Sequence, residues 1–117
     1  MKSYTDLEQS KKLAEILPFE SADMRIGNYV GKSGKVDGTN VHYYPKGESF
    51  GAPEIIDAWS LAALLSVLPE IQGGKPIIVL DDNYITYPHM SDLHTKADNP
   101  IDACYEMILK LHELNLL

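Results

Sequence analysis

The feature that most constrains the fold is an uncharged, mostly apolar stretch of twelve residues, Ala58–Pro69. It is too short to cross a bilayer, which takes about 20 apolar residues. Its four leucines recur at helical spacing, and Trp59 and two alanines cover much of the remaining surface. A helix that is apolar nearly all round is typically buried on more than one side. We therefore expect a helix that begins between Pro53 and Asp57, ends at Pro69 and forms the centre of the core.

Capping signals predict one further helix on each side of this one. Near the start of the chain, Thr5 and Glu8 match the S/T-x-x-E capping box, in which each side chain satisfies a free backbone N–H. Near the end, Asn99 is a natural N-cap and Pro100 suits the first helical position.

The last helix has an apolar face that includes the single cysteine. Cys104 lies between Ile101 and Ile108 on this face, and His112 falls on the same side. A free cysteine is among the most buried residue types, so we expect a core residue and not a nucleophile. We expect His112 to be a hydrogen-bonded histidine that faces the core. One cysteine forms no internal disulfide, which fits a reducing compartment.

Four strands are predicted as two hairpins. Met24–Val30 and Thr39–Tyr44 flank a loop with three glycines. Pro76–Leu80 and Tyr84–Tyr87 flank Asp81-Asp82-Asn83, whose residue types tolerate a positive φ.

The predicted order of elements is therefore α-ββ-α-ββ-α. The 117 residues are 44% hydrophobic, which is enough for one core without a metal or a disulfide. Short connections and hairpins favour one α+β domain over residues 1–117, with a mostly antiparallel sheet and helices packed on one face.

The charge is unevenly distributed along the chain. The first fifty residues are balanced, and residues 51–117 carry the whole net charge of -7. An acidic surface repels phosphate backbones, which disfavours nucleic-acid binding. The N-terminus lacks the apolar run of a signal peptide, and no stretch is long enough to cross a membrane. These features predict a cytoplasmic protein with no membrane partner.

Metal ligation is the first chemistry to consider. His89, Asp92 and His94 form the pattern H-x2-D-x-H, and imidazole and carboxylate groups both bind zinc. These residues are predicted to lie in a loop, and a fourth ligand at a standard spacing is missing. We expect no metal site, and we keep as an alternative a small hydrolase or metal-binding protein that uses this loop.

Two further motifs are better explained by local structure. Gly27–Ser33 resembles a P-loop, but three residues instead of four separate the first glycine from Gly-Lys, and a strand follows where a helix is needed. Asp81 and Asp82 match ordinary turn chemistry. The sequence therefore predicts no catalytic residue and no cofactor.

Tyrosines supply the remaining signal. Tyr43, Tyr84 and Tyr87 lie on the predicted hairpins, where alternation places some side chains on the outer face of the sheet. Exposed aromatic side chains serve as anchors in protein interfaces, so we predict that these three contact a partner. The alternative is that they cover the edge of the core.

Three segments resemble short proteins encoded by phages and prophages of gut bacteria, a group without an assigned activity. They are ILPFESADM (16–24), AWSLAALLSVLPEI (58–71) and ADNPIDACYEMILKLHELNLL (97–117). The resemblance implies an origin in a mobile element and a cytoplasmic setting, and it supplies no catalytic residue.

The run IIVLDDNYITYPHMSDLHTKADNPIDACYEMILKLHE, within residues 77–114, resembles the strand–strand–helix of HicB-type antitoxins. Such antitoxins bind and block a small ribonuclease, so this resemblance implies an antitoxin-like inhibitor. Taken together, the sequence predicts a small non-enzymatic accessory protein that binds an unknown protein partner. A homo-oligomer is left open.

Overall fold

After a first helix, the chain forms two successive groups of three strands, and a helix follows each group. The computed structural model describes residues 2–48, 50–79 and 81–117. Within them lie α1 (Leu7–Ala14), β1 (Met24–Tyr29), β2 (Asn40–Pro45), β3 (Glu54–Ala58), α2 (Leu61–Val67), β4 (Ile77–Val79), β5 (Tyr84–Tyr87), β6 (Met90–Lys96) and α3 (Pro100–Glu113). The strands form two antiparallel sheets of three, which confirms the predicted α+β class. Each sheet has one strand more than the hairpin that the sequence predicts.

The start of α1 differs from the prediction. Its N-cap is Asp6, whose carboxylate accepts the Gln9 N–H at 2.8 Å while the Gln9 side chain accepts the Asp6 N–H at 3.1 Å. The predicted Thr5–Glu8 capping box is therefore wrong by one residue. Thr5 is buried, and its hydroxyl accepts the backbone N–H of Trp59 at 3.1 Å. The Thr5 side chain, which the local sequence pattern assigns to a helix cap, thus bonds instead to the backbone of Trp59, far away in the sequence.

The first sheet has the order β2-β1-β3, with β1 antiparallel to both neighbours. The hairpin of β1 and β2 is confirmed, with Met24 opposite Pro45. β3 lies where the sequence predicts the start of the second helix, so that helix start is wrong. The two adjacent isoleucines of β3 favour a strand. Ser60 then caps α2 by accepting the Ala63 N–H at 3.2 Å, so the helix begins only at Leu61.

The connection between β2 and β3 crosses the first sheet. β2 ends beside Met24, whereas β3 begins beside Asn28, near the other end of β1. The connection must therefore travel most of the length of β1, and we call its described residues, 46–48 and 50–53, the crossing segment. A Cβ built on Gly27 would lie 3.1 Å from the Cβ of Ala52, so the segment passes over the face of β1 to which Gly27 belongs.

The second sheet has the order β4-β5-β6. β4 and β5 form the predicted hairpin, with Ile78 opposite Ile85, while Leu80 lies outside the described residues. β6 occupies a stretch predicted to be a loop, so that prediction is wrong. A tight turn at Pro88–His89 brings the chain back antiparallel to β5. Because β6 exposes one polar face, its sequence resembles a loop.

The helix α3 forms the centre of the core. Its capping by Asn99 and its start at Pro100 are confirmed, with the Asn99 side chain accepting the Asp102 N–H at 2.9 Å. The helix contacts β5, β6 and α2. Its buried residues are Pro100, Ile101, Ala103, Cys104, Met107, Ile108 and Leu111.

Two expectations about helix burial are wrong. Within α2, Ala63 and Leu64 are buried but Ala62 is exposed, so this helix is not the centre of the core. The apolar stretch is divided between the end of β3 and a helix of only 7 residues, which leaves α2 too short for all-round burial. His112 is exposed, because it lies in the last turn of α3, where the residues that follow it are exposed as well.

Candidate functional site

The tyrosines predicted to contact a partner do not share one surface. Tyr43 lies on the inner side of the first sheet, where its ring stacks on that of Tyr4 with 5.2 Å between centroids. Its hydroxyl donates to the Thr5 carbonyl at 2.8 Å. Burial raises the pKa of Tyr43, which fits a half-buried side chain that covers the edge of the core.

The other two tyrosines belong to β5 and point to opposite sides of the second sheet. Tyr84 is partly exposed, and its ring centroid lies 4.9 Å from that of His94. Tyr87 is only 2% exposed, and its hydroxyl donates to the Pro69 carbonyl at 2.7 Å. The expected surface position of Tyr87 is therefore corrected to the core, and we leave it out of any contact surface.

The His89–His94 stretch forms a turn and a strand. His89 has a φ of 68°, a left-handed conformation that histidine adopts more readily than most residues. Asp92 and His94 are exposed positions of β6. Across residues 2–48, 50–79 and 81–117, no group of three or more His, Cys, Asp or Glu side chains is placed to hold a metal ion.

The remaining motifs are also explained by the fold. Gly27–Ser33 covers the end of β1 and the start of the loop that leads to β2. Asp81 and Asp82 are exposed in the turn between β4 and β5. Cys104 is fully buried, as predicted, and burial raises the pKa of its thiol to about 12. A thiol in that environment stays protonated and is a poor nucleophile.

The outer side of the first sheet carries a cluster of aromatic side chains. Tyr29 on β1 lies next to His42 and Tyr44 on β2, all on the side that the crossing segment covers. The rings of Tyr29 and His42 are 5.4 Å apart, and Phe50 from the crossing segment packs 4.9 Å from Tyr44. We call Tyr29, His42, Tyr44 and Phe50 the aromatic face.

Gly27 forms the floor of the aromatic face. A Cβ at this position would lie 2.9 Å from Cε2 of Tyr29 and equally close to Cε2 of Tyr44. Since glycine has none, both rings extend over the strand and their hydroxyls meet at 2.8 Å. This hydrogen bond, together with desolvation, raises the pKa of Tyr29 to about 12. The Tyr29 hydroxyl therefore stays protonated at neutral pH.

Phe50 is held in a backbone conformation that a bulky residue rarely adopts. Its φ is 45°, and Gly47 and Gly51 near it have φ values of 101° and 73°. The left-handed region costs a residue with a Cβ about 1–2 kcal/mol. The Phe50 carbonyl accepts the Tyr29 hydroxyl at 3.1 Å, yet the residue remains 70% exposed. The crossing segment thus holds one aromatic ring outward at a cost in backbone energy.

Arg25 and Asp57 supply charge at the margin of the aromatic face. They lie opposite each other on β1 and β3, with Arg25 Nε 3.9 Å from Asp57 Oδ1, which is beyond hydrogen-bond distance. Within the part of the chain that the structure describes, this buried Nε has no hydrogen-bond acceptor. Ile55, on the same side of β3, is 45% exposed. The margin therefore offers the apolar surface of Ile55 and the partly exposed, charged side chain of Arg25.

The arrangement is suited to binding. Tyrosine and arginine are enriched among the side chains that dominate the energy of protein interfaces. Large exposed apolar side chains that lie on one side of a sheet, such as Phe50 and Ile55 here, favour an interaction site. Aromatic rings, hydroxyls and a guanidinium are groups that contact partner proteins. Here they lie on a sheet whose geometry is fixed by strand pairing.

Most of the aromatic face was not predicted from the sequence. Tyr43 was predicted as a contact residue, although its neighbour Tyr44 is the one that faces outward, and no prediction was made for Phe50. The signal that points to the face is Gly27, because a glycine inside a strand marks the close approach of other groups.

Comparisons with models of known families, with curated proteins and with solved structures find no match to this chain. None of the helices in the described residues combines the length and apolarity needed to cross a membrane.

Proposed function

We propose that this protein is a non-enzymatic accessory protein that binds another protein chain through the aromatic face. The observation that supports this most directly is Phe50, whose ring stays 70% exposed on a backbone with a φ of 45°. Strained backbone persists where the surrounding structure holds it, and such sites cluster at binding surfaces. A ring presented in this way is an anchor for a pocket in a partner.

The chemistry of the face defines the partner surface that it fits. Phe50 and the exposed Ile55 require an apolar pocket on the partner. The Arg25 side chain is 32% exposed at the margin, so its exposed part suits an acceptor such as a carboxylate or a backbone carbonyl within the same contact. Covering the exposed part of this charged side chain with an apolar surface alone would cost free energy.

The setting that we propose is the cytoplasm of a bacterium that carries a phage or another mobile element. Its support is the resemblance of residues 16–24, 58–71 and 97–117 to phage and prophage proteins. If the partner is a small ribonuclease, the protein is an antitoxin-like inhibitor, which is the special case implied by the resemblance of residues 77–114.

Site-specific photo-crosslinking tests the proposed contact. The photoreactive residue p-benzoylphenylalanine replaces Phe50 in the full chain, which is expressed in the organism that encodes it. A second chain carries the same residue at Phe19, which is 64% exposed and lies outside the aromatic face. We expect a discrete adduct from position 50 that is absent from position 19, and mass spectrometry then identifies the partner.

Purified components complete the test. Truncation of an anchor residue costs about 2 kcal/mol or more, so Phe50→Asn should raise the Kd for the identified partner at least about 30-fold. Asparagine tolerates the left-handed backbone, so this change removes the ring without new strain. Phe19→Asn is the matched control and should leave the Kd unchanged. Equal adducts at both positions, or an unchanged Kd for Phe50→Asn, would contradict the proposal.

A further inference from the structure

We infer that the partner of the aromatic face is a second copy of this chain, related to the first by a two-fold axis. This inference rests on the proposed function, because it names the partner of the same face. It is supported by the distribution of charge along the chain and by the self-complementary chemistry of the face.

Charge restricts where two copies can meet. Residues 59–117 contain three basic and eight acidic side chains, whereas residues 24–58, which build the first sheet, contain four basic and four acidic side chains. Like charges brought together across an interface are costly. Two copies of an acidic chain therefore approach with least repulsion through the neutral first sheet. The acidic side chains Asp102, Glu106 and Glu113 belong to α3, and this helix packs on the second sheet and not on the first.

The charged pair at the margin suits a two-fold contact. In such a contact, residue i of one copy meets residue j of the other, and the reverse contact forms at the same time. The side chains of Arg25 and Asp57 lie opposite each other on β1 and β3 and are 32% and 27% exposed, so a two-fold axis close to them brings each Arg25 beside Asp57 of the partner subunit.

The exposed apolar side chains of the aromatic face and its margin are also suited to pack against the same side chains of a second copy. Phe50 and Ile55 are 70% and 45% exposed, and a face-to-face contact buries both twice. Aromatic rings gain from packing on one another in offset or edge-to-face arrangements.

Sedimentation equilibrium of the full chain tests the inference. From about 1 μM to about 1 mM, a self-associating chain shifts from monomer to dimer as its concentration passes the dimer Kd. We expect the mass to rise from 13.0 kDa toward twice that value. Each dimer contains two Phe50 anchors, so Phe50→Asn should raise the dimer Kd more than about 100-fold. Phe19→Asn should leave it unchanged. Circular dichroism confirms that both variants are folded.

A charge-swap pair gives a second readout. Arg25→Asp and Asp57→Arg each place like charges across the two-fold axis, so each variant alone should be monomeric over the same range. Mixed together, the two variants bring opposite charges into register and should form a heterodimer. A surface with no two-fold contact between these residues would not show this rescue.

The outcomes separate the two proposals. A chain that stays monomeric at every concentration, while position 50 cross-links to a different protein, overturns the second copy and leaves the proposed function intact. A dimer that neither Phe50→Asn nor the charge swaps weaken overturns the aromatic face as the site of self-association. A dimer that all of these changes weaken, with rescue in the mixture, establishes the inference.

Discussion

The hydroxyls of Tyr29 and Tyr44 lie 2.8 Å apart, on neighbouring strands of the first sheet and above the Cα of Gly27. The two rings can approach only because the strand between their side chains has no Cβ at that point. The lack of a side chain at Gly27 therefore determines the shape of the aromatic face. The Phe50 ring packs against Tyr44 on this face.

Gly27→Ala should lower the free energy of unfolding by about 1–3 kcal/mol, because the added methyl group overpacks a filled site. It would lie 2.9 Å from both tyrosine rings and 3.1 Å from the Cβ of Ala52. Urea denaturation followed by circular dichroism measures the loss. In the Tyr44→Ala background the additional loss should be smaller, since one of the clashing rings is gone. Equal losses in the two backgrounds would show that the rings do not limit this position.

Thr5→Val should destabilise the protein by about 1–3 kcal/mol, the cost of leaving buried polar groups without a partner. The Thr5 hydroxyl accepts the Trp59 N–H at 3.1 Å and lies 2.7 Å from the Ser10 hydroxyl. Thermal and urea unfolding measure the effect. Thr5→Ser keeps the hydroxyl and should recover most of the stability. If the serine and valine variants were equally unstable, the hydroxyl would have no such role.

Tyr87→Phe should lower the free energy of unfolding by about 0.5–1.5 kcal/mol, the usual net value of one hydrogen bond. It removes the hydroxyl that donates to the Pro69 carbonyl at 2.7 Å. Tyr87→Ala should cost more, about 3–5 kcal/mol, because it empties a core position. Both variants should cross-link through position 50 as the wild type does wherever they are folded. A loss of cross-linking in folded Tyr87→Phe would return Tyr87 to the contact surface.

The ion pair of Lys2 and Asp102, at 2.8 Å, predicts a specific dependence of stability on pH. Burial opposes ionisation of Asp102, but hydrogen bonds from Lys2, Gln9 and Asn99 outweigh it and lower its pKa. A carboxylate with a lowered folded-state pKa stabilises the fold above its unfolded pKa of about 3.9, and this contribution is lost as the pH falls through the folded-state value.

Urea unfolding at a series of pH values from about 6 to 3 tests this dependence, since that range spans the unfolded pKa. The wild type should lose stability toward acid more steeply than Asp102→Asn. Glu15→Gln is the control, because Glu15 is exposed and its contact with Lys12 is 3.7 Å long. Exposed pairs at that distance contribute little. Parallel curves for wild type and Asp102→Asn would refute the prediction.

Local signals in the sequence were sufficient for elements whose boundaries are set by neighbouring residues. The cap at Asn99 acts within three residues of itself, and the β4–β5 hairpin closes over a short turn. β3 was missed because its stability comes from pairing with β1, about 30 residues earlier, while its own sequence is also compatible with the start of a helix. β6 was missed because a strand with a polar outer face resembles a loop.

The candidate site was harder to predict, because alternation does not say which face is covered. Tyr43 and Tyr44 must point to opposite sides of β2 whatever the fold. Contacts on the inner side, with Tyr4 and Thr5, turn Tyr43 inward and leave Tyr44 outward. Phe50 could not be assigned at all, since its exposure depends on a connection that crosses the sheet.

By itself, the sequence determined the fold class, the capping of α3, two of the strand pairings and the burial of Cys104, because each follows from residues close together along the chain. Only the tertiary structure decided which tyrosine faces solvent, which helix lies at the centre and where the aromatic face forms. Those outcomes depend on packing between segments far apart in the chain, and local residue preferences carry no information about that packing.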